Sequence, residues 1–431
     1  MGNTVPDTQS RVPIVRLQTG AVALMFGLST MSYFDRTIMS IAGPEIMKDF
    51  GISETGMGAV YSAFLISYAI CMAPGGRLAD RFGPRKVLFL GGMGAALFTG
   101  LTGLTGGAWL GASFGVVASL LIIRFLFGIC TAPLYPALGR MTAAWIPASQ
   151  VARVQSIVIT GAPLGGAISP VMFAALIGAF GWRWSFGWAA IATAALCGVW
   201  YWYARDDPRE YGVEIAGVSA PGPVREGRFP WGTLLKDRNL ALLTAGYFCL
   251  NYFSYIFYYW IYYYFGEIRG MSRGESATYV TFLMLTITIM TPLGGWVADA
   301  LSPRMGRNKA RRLDSVIGLS LSAVLLYVGS SGLDIVPTVV LLSLAAGCGA
   351  MSEGPYWATA IETGGENAGV AGGIMNCGGN VGGILSPTLT PIIAGYFGWA
   401  FSLHFASFVV ALSMIIWFFI KPKSDSQGAT L

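Results

Sequence analysis

The sequence predicts an all-α membrane protein, with twelve transmembrane helices in two pseudo-symmetric six-helix halves. Three observations predict it. First, 54% of the 431 residues are hydrophobic and only 11% are charged. Soluble chains carry roughly 25% charged residues, so a water-facing surface cannot be covered. Second, the apolar runs are about 20 residues long, enough to cross a hydrocarbon core of about 30 Å. Lipid offers no partner to a peptide group, so such runs must be helical. Third, one loop signature returns half a chain later. It reads Gly75-Gly76-Arg77-Leu78-Ala79-Asp80-Arg81-Phe82-Gly83-Pro84-Arg85-Lys86. The weaker copy is Gly294-Gly295-Trp296-Val297-Ala298-Asp299, followed by Arg304-Met305-Gly306-Arg307-Asn308-Lys309. Such a copy marks a duplicated membrane fold.

The expected spans are 17–42, 55–78, 87–106, 113–139, 150–178, 184–204, 240–265, 275–300, 313–331, 336–361, 369–396 and 400–420. An even number puts both termini on one side. That side receives 21 of the 27 Lys and Arg residues, whereas Lys48, Arg183, Arg269 and Arg273 fall on the other. Both termini are therefore expected in the cytoplasm. Arg36 and Arg124 are left inside the membrane. The expected organisation is a first half over 1–204, a cytoplasmic linker over 205–239 with Pro221-Gly222-Pro223, and a second half over 240–431. A second repeat supports the halves. Gly161-Ala162-Pro163-Leu164-Gly165-Gly166-Ala167-Ile168-Ser169-Pro170 returns 217 residues on as Gly378-Gly379-Asn380-Val381-Gly382-Gly383-Ile384-Leu385-Ser386-Pro387. Gly181-Trp182 and Gly398-Trp399 share that offset. The small residues let backbones pack closely.

Composition excludes several classes. The positive charge sits in loops rather than in a nucleic-acid patch. Cys71, Cys130, Cys197, Cys249, Cys348 and Cys377 all fall in spans at no motif spacing, so neither a disulfide framework nor a metal site is expected. No nucleophile–base pair or phosphate loop is evident, so no catalytic residues, no cofactor and no enzyme are expected. The polar start, Met1 to Gln18, has no small-residue cleavage site, so the first span should be retained.

Few residues are left that can carry chemistry. Asp35 and Glu353 are the acids well within spans, and a charge at the centre of a membrane helix costs roughly 2.5–3.5 kcal/mol on insertion scales. Asp35 and Arg36 are adjacent and point about 100° apart on a helix, so each needs its own partner or an interface to reach. Arg124, in mid-span, offers a planar fork to a substrate carboxylate or to a structural partner such as Asp35. Glu353 precedes Gly354-Pro355, which should break span 10, and Trp357 lies one turn along its face. It could exchange a proton or merely pair with a hydroxyl. His404, the single histidine, reads as a packed residue. Span 7 is aromatic at thirteen of the nineteen positions from Tyr247 to Phe265. Tyr252, Tyr255 and Tyr259 share a face there, suited either to an interfacial belt or to a cavity wall.

The loop signature resembles the loop between helices 2 and 3 of the major facilitator superfamily. Within it, nearly the whole chain is similar to the anion:cation symporters, which include bacterial galactonate, glucarate and hexuronate carriers, sialin and the vesicular glutamate transporters. The resemblance rests on Phe34-Asp35-Arg36, Tyr68, Arg124-Phe125, Gly181-Trp182-Arg183-Trp184-Ser185-Phe186, Pro355-Tyr356-Trp357-Ala358 and Gly379-Asn380-Val381-Gly382-Gly383. It implies the major facilitator fold and secondary import of a small organic anion, a sugar acid or other carboxylate, by proton symport with alternating access. It makes Asp35 a protonation site. Arg36, Tyr68, Arg124, Trp357 and Asn380 become substrate residues, with Asn376 as the alternative to Asn380. Gly76, Asp80, Arg81, Gly83, Arg85 and Asp299 become gating-loop residues. The chain departs from the family at Thr131, where these symporters carry a second acid; Glu353, at comparable depth in the matching span, is expected to replace it. An uncoupled uniporter, an exchanger for an organic or aromatic acid, and a membrane sensor are the alternatives. A monomer in the bilayer of a bacterial inner membrane is expected.

Overall fold

The computed structural model describes residues 14–106, 115–147, 150–212, 236–364 and 368–420. The start of the polar N-terminal stretch, most of the expected linker with Pro221-Gly222-Pro223, and the tail from 421 lie outside the described residues. The described residues are helical, without a strand. Ten helical segments among them are long and apolar enough to cross a membrane. One of the ten is double: Val151–Tyr203 turns at Gly181, whose φ of 75° and ψ of 161° no helix contains, into α6 (151–180) and α7 (182–203). With α13 (Ala368–Phe397) this makes the twelve expected spans. The others are α1 (Ile14–Phe50), α2 (Glu54–Phe82), α3 (Pro84–Gly103), α8 (Arg238–Tyr259), α9 (Arg273–Met305), α10 (Arg307–Gly329) and α14 (Trp399–Phe419), plus two broken spans.

The broken spans occupy matching places. Span 4 is α4 (Val116–Thr131) and α5 (Leu134–Trp145), separated by Ala132-Pro133. Span 10 is α11 (Ile335–Met351) and α12 (Glu353–Gly364), separated by Ser352. The expected break in span 10 falls just ahead of Gly354-Pro355. Pro355 stands in the first turn of α12, where its missing N–H breaks no helix bond. Span 7 also breaks, which its aromatic run gave no means of reading. After α8 the chain turns at Trp260, whose indole donates to the Pro387 carbonyl at 2.9 Å, and continues as Ile261–Tyr263 and a π turn, Tyr264–Ile268.

The repeated glycines explain how these helices approach one another. A Cβ at Gly75 would lie 2.8 Å from Pro133 Cα, and one at Gly294 would overlap the Met351 carbonyl. The signature glycines therefore seat the breaks of spans 4 and 10. A Cβ at Gly161 would lie 2.6 Å from the Phe26 carbonyl oxygen, and one at Gly165 would overlap that of Thr30. In the copy, Gly378 meets Thr244 and Gly382 meets the Phe248 carbonyl. Thus α6 lies on α1 as α13 lies on α8, backbone against backbone.

Polar contacts between the first six spans and the last six gather where α1 ends and α2 begins. Arg273 pairs with Glu45. Tyr263 donates to Glu54 at 2.5 Å, and Ser62 meets the Ile384 carbonyl at 2.6 Å and Thr388 at 2.9 Å. At the opposite end the ion pairs stay within one group of spans: Arg140 with Asp80, and Arg311 with Glu362 at 2.5 Å.

Adding one methyl group tests the backbone contacts. Gly165→Ala and Gly382→Ala should each lower stability by about 1–3 kcal/mol through overpacking, seen as a reduced melting temperature in detergent. Gly395→Ala, which meets nothing within 4 Å, should leave it unchanged. Equal melting temperatures for all three would show that the approach is not close.

Candidate functional site

The site is built on α1. Tyr33 and Arg36 lie one turn apart and face the gap between the two groups of spans. The Arg36 guanidinium donates from Nη2 to Tyr255 Oη at 2.7 Å and from Nε to Tyr259 Oη at 3.4 Å. Its carbon lies over the rings of Phe64 at 5.0 Å, Tyr33 at 5.2 Å, Tyr255 at 5.3 Å and Tyr68 at 5.7 Å. Its polar partners are phenols; no carboxylate pairs with it. Rings and phenols hold a guanidinium in place without neutralising it, so the charge stays available for an anion.

Across the gap, α12 presents Glu353. Its Oε1 accepts from Tyr247 Oη and from Trp357 Nε1, the latter at 3.3 Å. Trp357 Nε1 also reaches Tyr247 Oη at 3.2 Å. Oε2 carries neither bond and is not sealed off from solvent. Tyr33 and Tyr258 meet edge to face, ring centroids 6.5 Å apart, and both lie in the fields of Arg36 and Glu353. The gap thus has a positive pole on α1, an acidic pole on α12, and aromatic rings between.

Asp35 turns away from this gap. It is 1% exposed, and its Oδ2 accepts from Thr193 on α7 at 2.7 Å while Oδ1 has no partner. Arg124, 3% exposed, has Nε and Nη2 unpartnered and rests over Phe127 at 5.2 Å and Phe186 at 5.8 Å. The two charges act on one another, but no direct ion pair joins them. Tyr259 stands between the two guanidinium groups and feels both. Beside Asp35 is a cavity of about 40 Å³ lined by Thr131 and Thr193 among apolar neighbours. The Thr131 hydroxyl donates to the Phe127 carbonyl of its own helix at 3.0 Å.

The other expected residues fall as follows. Tyr68 and Tyr255 join the Arg36 cage and Trp357 joins Glu353. Asn380 is half-buried on α13, one turn from Asn376, which reaches the Met72 sulfur at 3.9 Å. Tyr252 is separated from Tyr255 and Tyr259: it is buried with its ring edge to Phe405, inside the last six spans and away from the gap. The loop residues are tied locally. Asp80 pairs with Arg140. The Arg85 amide donates to Asp206 at 2.7 Å, and its side chain donates to the Tyr201 carbonyl at 2.7 and 3.1 Å. Gly83, at φ 86°, leaves room for the Asp206 carboxylate. Gly76 sits beside Pro136, Arg81 lies over Phe82, and Asp299 is exposed. His404 stacks on Tyr327 at 4.3 Å, as a packed residue. Four site residues were not singled out from the sequence. Tyr33, at i−3 from Arg36, and Tyr247 and Tyr258, in the aromatic run, carried a usable spacing signal; Thr193, an isolated threonine on an apolar helix, carried none.

Comparison with known proteins gives a consistent picture. The family model described as Major Facilitator Superfamily matches residues 25–385. The hexuronate transporter of Bacillus subtilis is 31% identical over 419 residues, covering 95% of this chain and 96% of that protein. A protein of Escherichia coli K12 named "Probable galactarate/D-glucarate transporter" is 30% identical over 88% of this chain and 87% of its own. One of Cupriavidus necator named "Probable sulfoacetate transporter" is 28% identical over 90% and 88%. Among solved structures, a bacterial homologue of the lysosomal transporter Spinster, in an inward-facing and unoccupied conformation, superposes with a TM-score of 0.78 at 15% identity, covering 95% of this chain and 98% of that one. The D-xylose-proton symporter gives 0.70 at 18% identity, covering 96% and 100%. At these identities the two structures speak for the fold alone.

The Asp35 environment is open to a direct test. Thr193→Val removes the hydroxyl that donates to a buried carboxylate and should cost about 1.5–3 kcal/mol, against about 0.5–1.5 kcal/mol for the same change in an Asp35→Asn background, where the bond is neutral. A double-mutant cycle by thermal unfolding measures the difference. Equal losses in both backgrounds would mean that Asp35 does not accept this bond.

Proposed function

The chain belongs to the major facilitator superfamily, and from that premise we propose that it is a secondary transporter that imports a small organic anion with protons by alternating access. Its described relatives are named as transporters of hexuronate, galactarate or glucarate, and sulfoacetate; this supports an anionic cargo of that size, a sugar acid or another carboxylate, and a transport role rather than an enzymatic one. It is a multi-pass membrane protein, and the excess of Lys and Arg on one side supports both termini in the cytoplasm of a bacterium, with the chain in the inner membrane.

One observation carries the reading. Arg36 is an interior guanidinium held by phenols and rings, with no carboxylate of its own. An uncompensated charge inside a membrane is costly and finds its counter-charge in the cargo. In this role the Nη1 side of the fork takes the carboxylate, while Tyr255 and Tyr259 fix the fork's plane. Tyr68, Asn376 and Asn380 bond the remaining polar groups, and Trp357 walls the opposite side. Tyr252 keeps a structural part. Arg124 and Asp35 cancel one another behind the cavity.

The coupling proton is carried by Glu353, the acid that borders the gap, with Asp35 as the second acid. An anion on Arg36 beside an ionised Glu353 leaves one unmatched negative charge. A proton on Glu353 removes it, and the loaded cavity crosses neutral. Residues 1–204 and 240–431 then rock about the shared gap, joined by the linker 205–239. With the charge-assigned orientation, the Glu45–Arg273, Glu54–Tyr263 and Ser62–Thr388 contacts close the outer end, so the conformation is inward-facing. Asp80 and Arg85, with Gly76, Arg81 and Gly83 shaping their loop, brace the inner end; Asp299 holds the matching place in the copy. A second reading is uncoupled exchange, favoured by one observation: Thr131, bonded to its own helix, brings no proton to the Asp35 cavity.

Reconstitution separates these readings. Liposomes with an internal pH dye should acidify when the cargo is added outside. Counterflow of labelled cargo without acidification would establish exchange instead, and neither signal with any small organic anion would end the carrier reading. Arg36→Gln should weaken the half-saturating concentration roughly thirtyfold or more, the usual effect of removing one partner of a buried charge pair. Asp80→Asn should leave the melting temperature nearly unchanged and slow turnover; normal turnover would remove the loop from the transport cycle.

A further inference from the structure

The two poles of the gap suit a cargo that the relatives' names do not include. Arg36 stands on α1 and Glu353 on α12, and they do not pair with each other. Each is held by aromatic donors or acceptors instead, and each keeps one side open: the Nη1 side of Arg36, and Oε2 of Glu353. Among the described residues, the groups in the field of Glu353 are phenols: Tyr33 from α1, Tyr247 and Tyr258 from α8, and Tyr356 on its own helix. No second acid and no base of the protein neutralises it. Its surroundings, Tyr33, Tyr247, Tyr258 and Trp357, are ring faces and edges of the kind that receive an ammonium group.

Charge counting then separates two kinds of cargo. The four interior groups, Arg36, Arg124, Asp35 and Glu353, sum to zero when all are ionised. A monoanion drives the sum to minus one unless a proton comes with it. A cargo that bears its own positive charge leaves the sum at zero with Glu353 ionised. We propose that the cavity also carries zwitterionic amino carboxylates, the carboxylate on Arg36 and the ammonium on Glu353 Oε2, and that these move without a proton. Glu353 is then the residue that reads cargo charge: it accepts a proton when the far end of the cargo is neutral and an ammonium when it is not. This rests on the carrier reading given above.

The test compares short ω-amino carboxylates with ω-hydroxy carboxylates of equal length, on wild-type protein in liposomes loaded with a pH dye. Both sets should show counterflow, and only the hydroxy acids should acidify the lumen. Glu353→Gln should then weaken the amino acids roughly tenfold or more, because a neutral amide replaces the buried counter-charge. The hydroxy acids should keep their counterflow in that variant, which also shows that it is folded, and should lose acidification. Hydroxy acids alone transported, or amino acids that acidify as strongly as hydroxy acids, would overturn the proposal using wild-type protein only. Equal effects of Glu353→Gln on both sets would overturn the assigned role of Glu353. No counterflow of either set, nor of any other organic anion, would overturn the carrier reading and this proposal with it.

Discussion

The structure depends on a guanidinium that is held without being neutralised. Arg36 bonds two phenols of span 7 and lies among four rings. Water cannot solvate it in bulk there, and no carboxylate answers it. The bonds to Tyr255 and Tyr259 also join the first six spans to the last six at mid-membrane. An arrangement that only stabilised the fold would place a carboxylate beside this group, since breaking or omitting one partner of a buried pair is strongly unfavourable. Here the second partner has been left to arrive from outside.

Around that charge, the packing is made by glycine. Gly161 and Gly165 bring α6 onto α1, Gly378 and Gly382 bring α13 onto α8, and Gly75 and Gly294 seat the breaks of the fourth and tenth spans. In lipid, helices gain little from burying apolar side chains against each other, so close backbone approach and dispersion hold them instead. The same contacts fix where Tyr255, Tyr259 and Trp357 stand, because α8 and α12 are positioned by these seams. The seams run within each group of six spans, whereas the polar contacts between groups crowd one end. Rigid groups with a contact-rich end and a contact-poor end are what a rocking motion requires.

Much of this was legible in the sequence because a membrane allows few solutions. Span number follows from apolar length, and the turn at Gly181 was marked by its copy at Gly398. Arg36, Arg124, Asp35 and Glu353 stood out because charges in spans are rare. What the sequence could not give was direction. Asp35 and Arg36 are neighbours, yet one faces α7 and the other the gap, and only the packing of α1 on α6 and α7 decides which. Tyr252 shares a helical face with Tyr255 on a straight helix; in the folded protein its ring lies against Phe405, within the last six spans. The break at Trp260 is invisible in a run where nearly every residue is aromatic, because its cause is a carbonyl on another helix. Thr193 gave no signal, being one threonine on an apolar helix until Asp35 is placed beside it.

The central claim is that Arg36 is the receptor for an anionic cargo, and ligand-induced thermal stabilisation tests it most directly. Purified protein and its Arg36→Gln variant would be melted in detergent with a panel of small carboxylates and sulfonates at fixed ionic strength. The account predicts that at least one member raises the melting temperature of the wild type in a saturable way and leaves the variant unmoved. A ligand that stabilises both proteins equally would contradict it, because the anion would then be held somewhere other than the phenol-bound guanidinium.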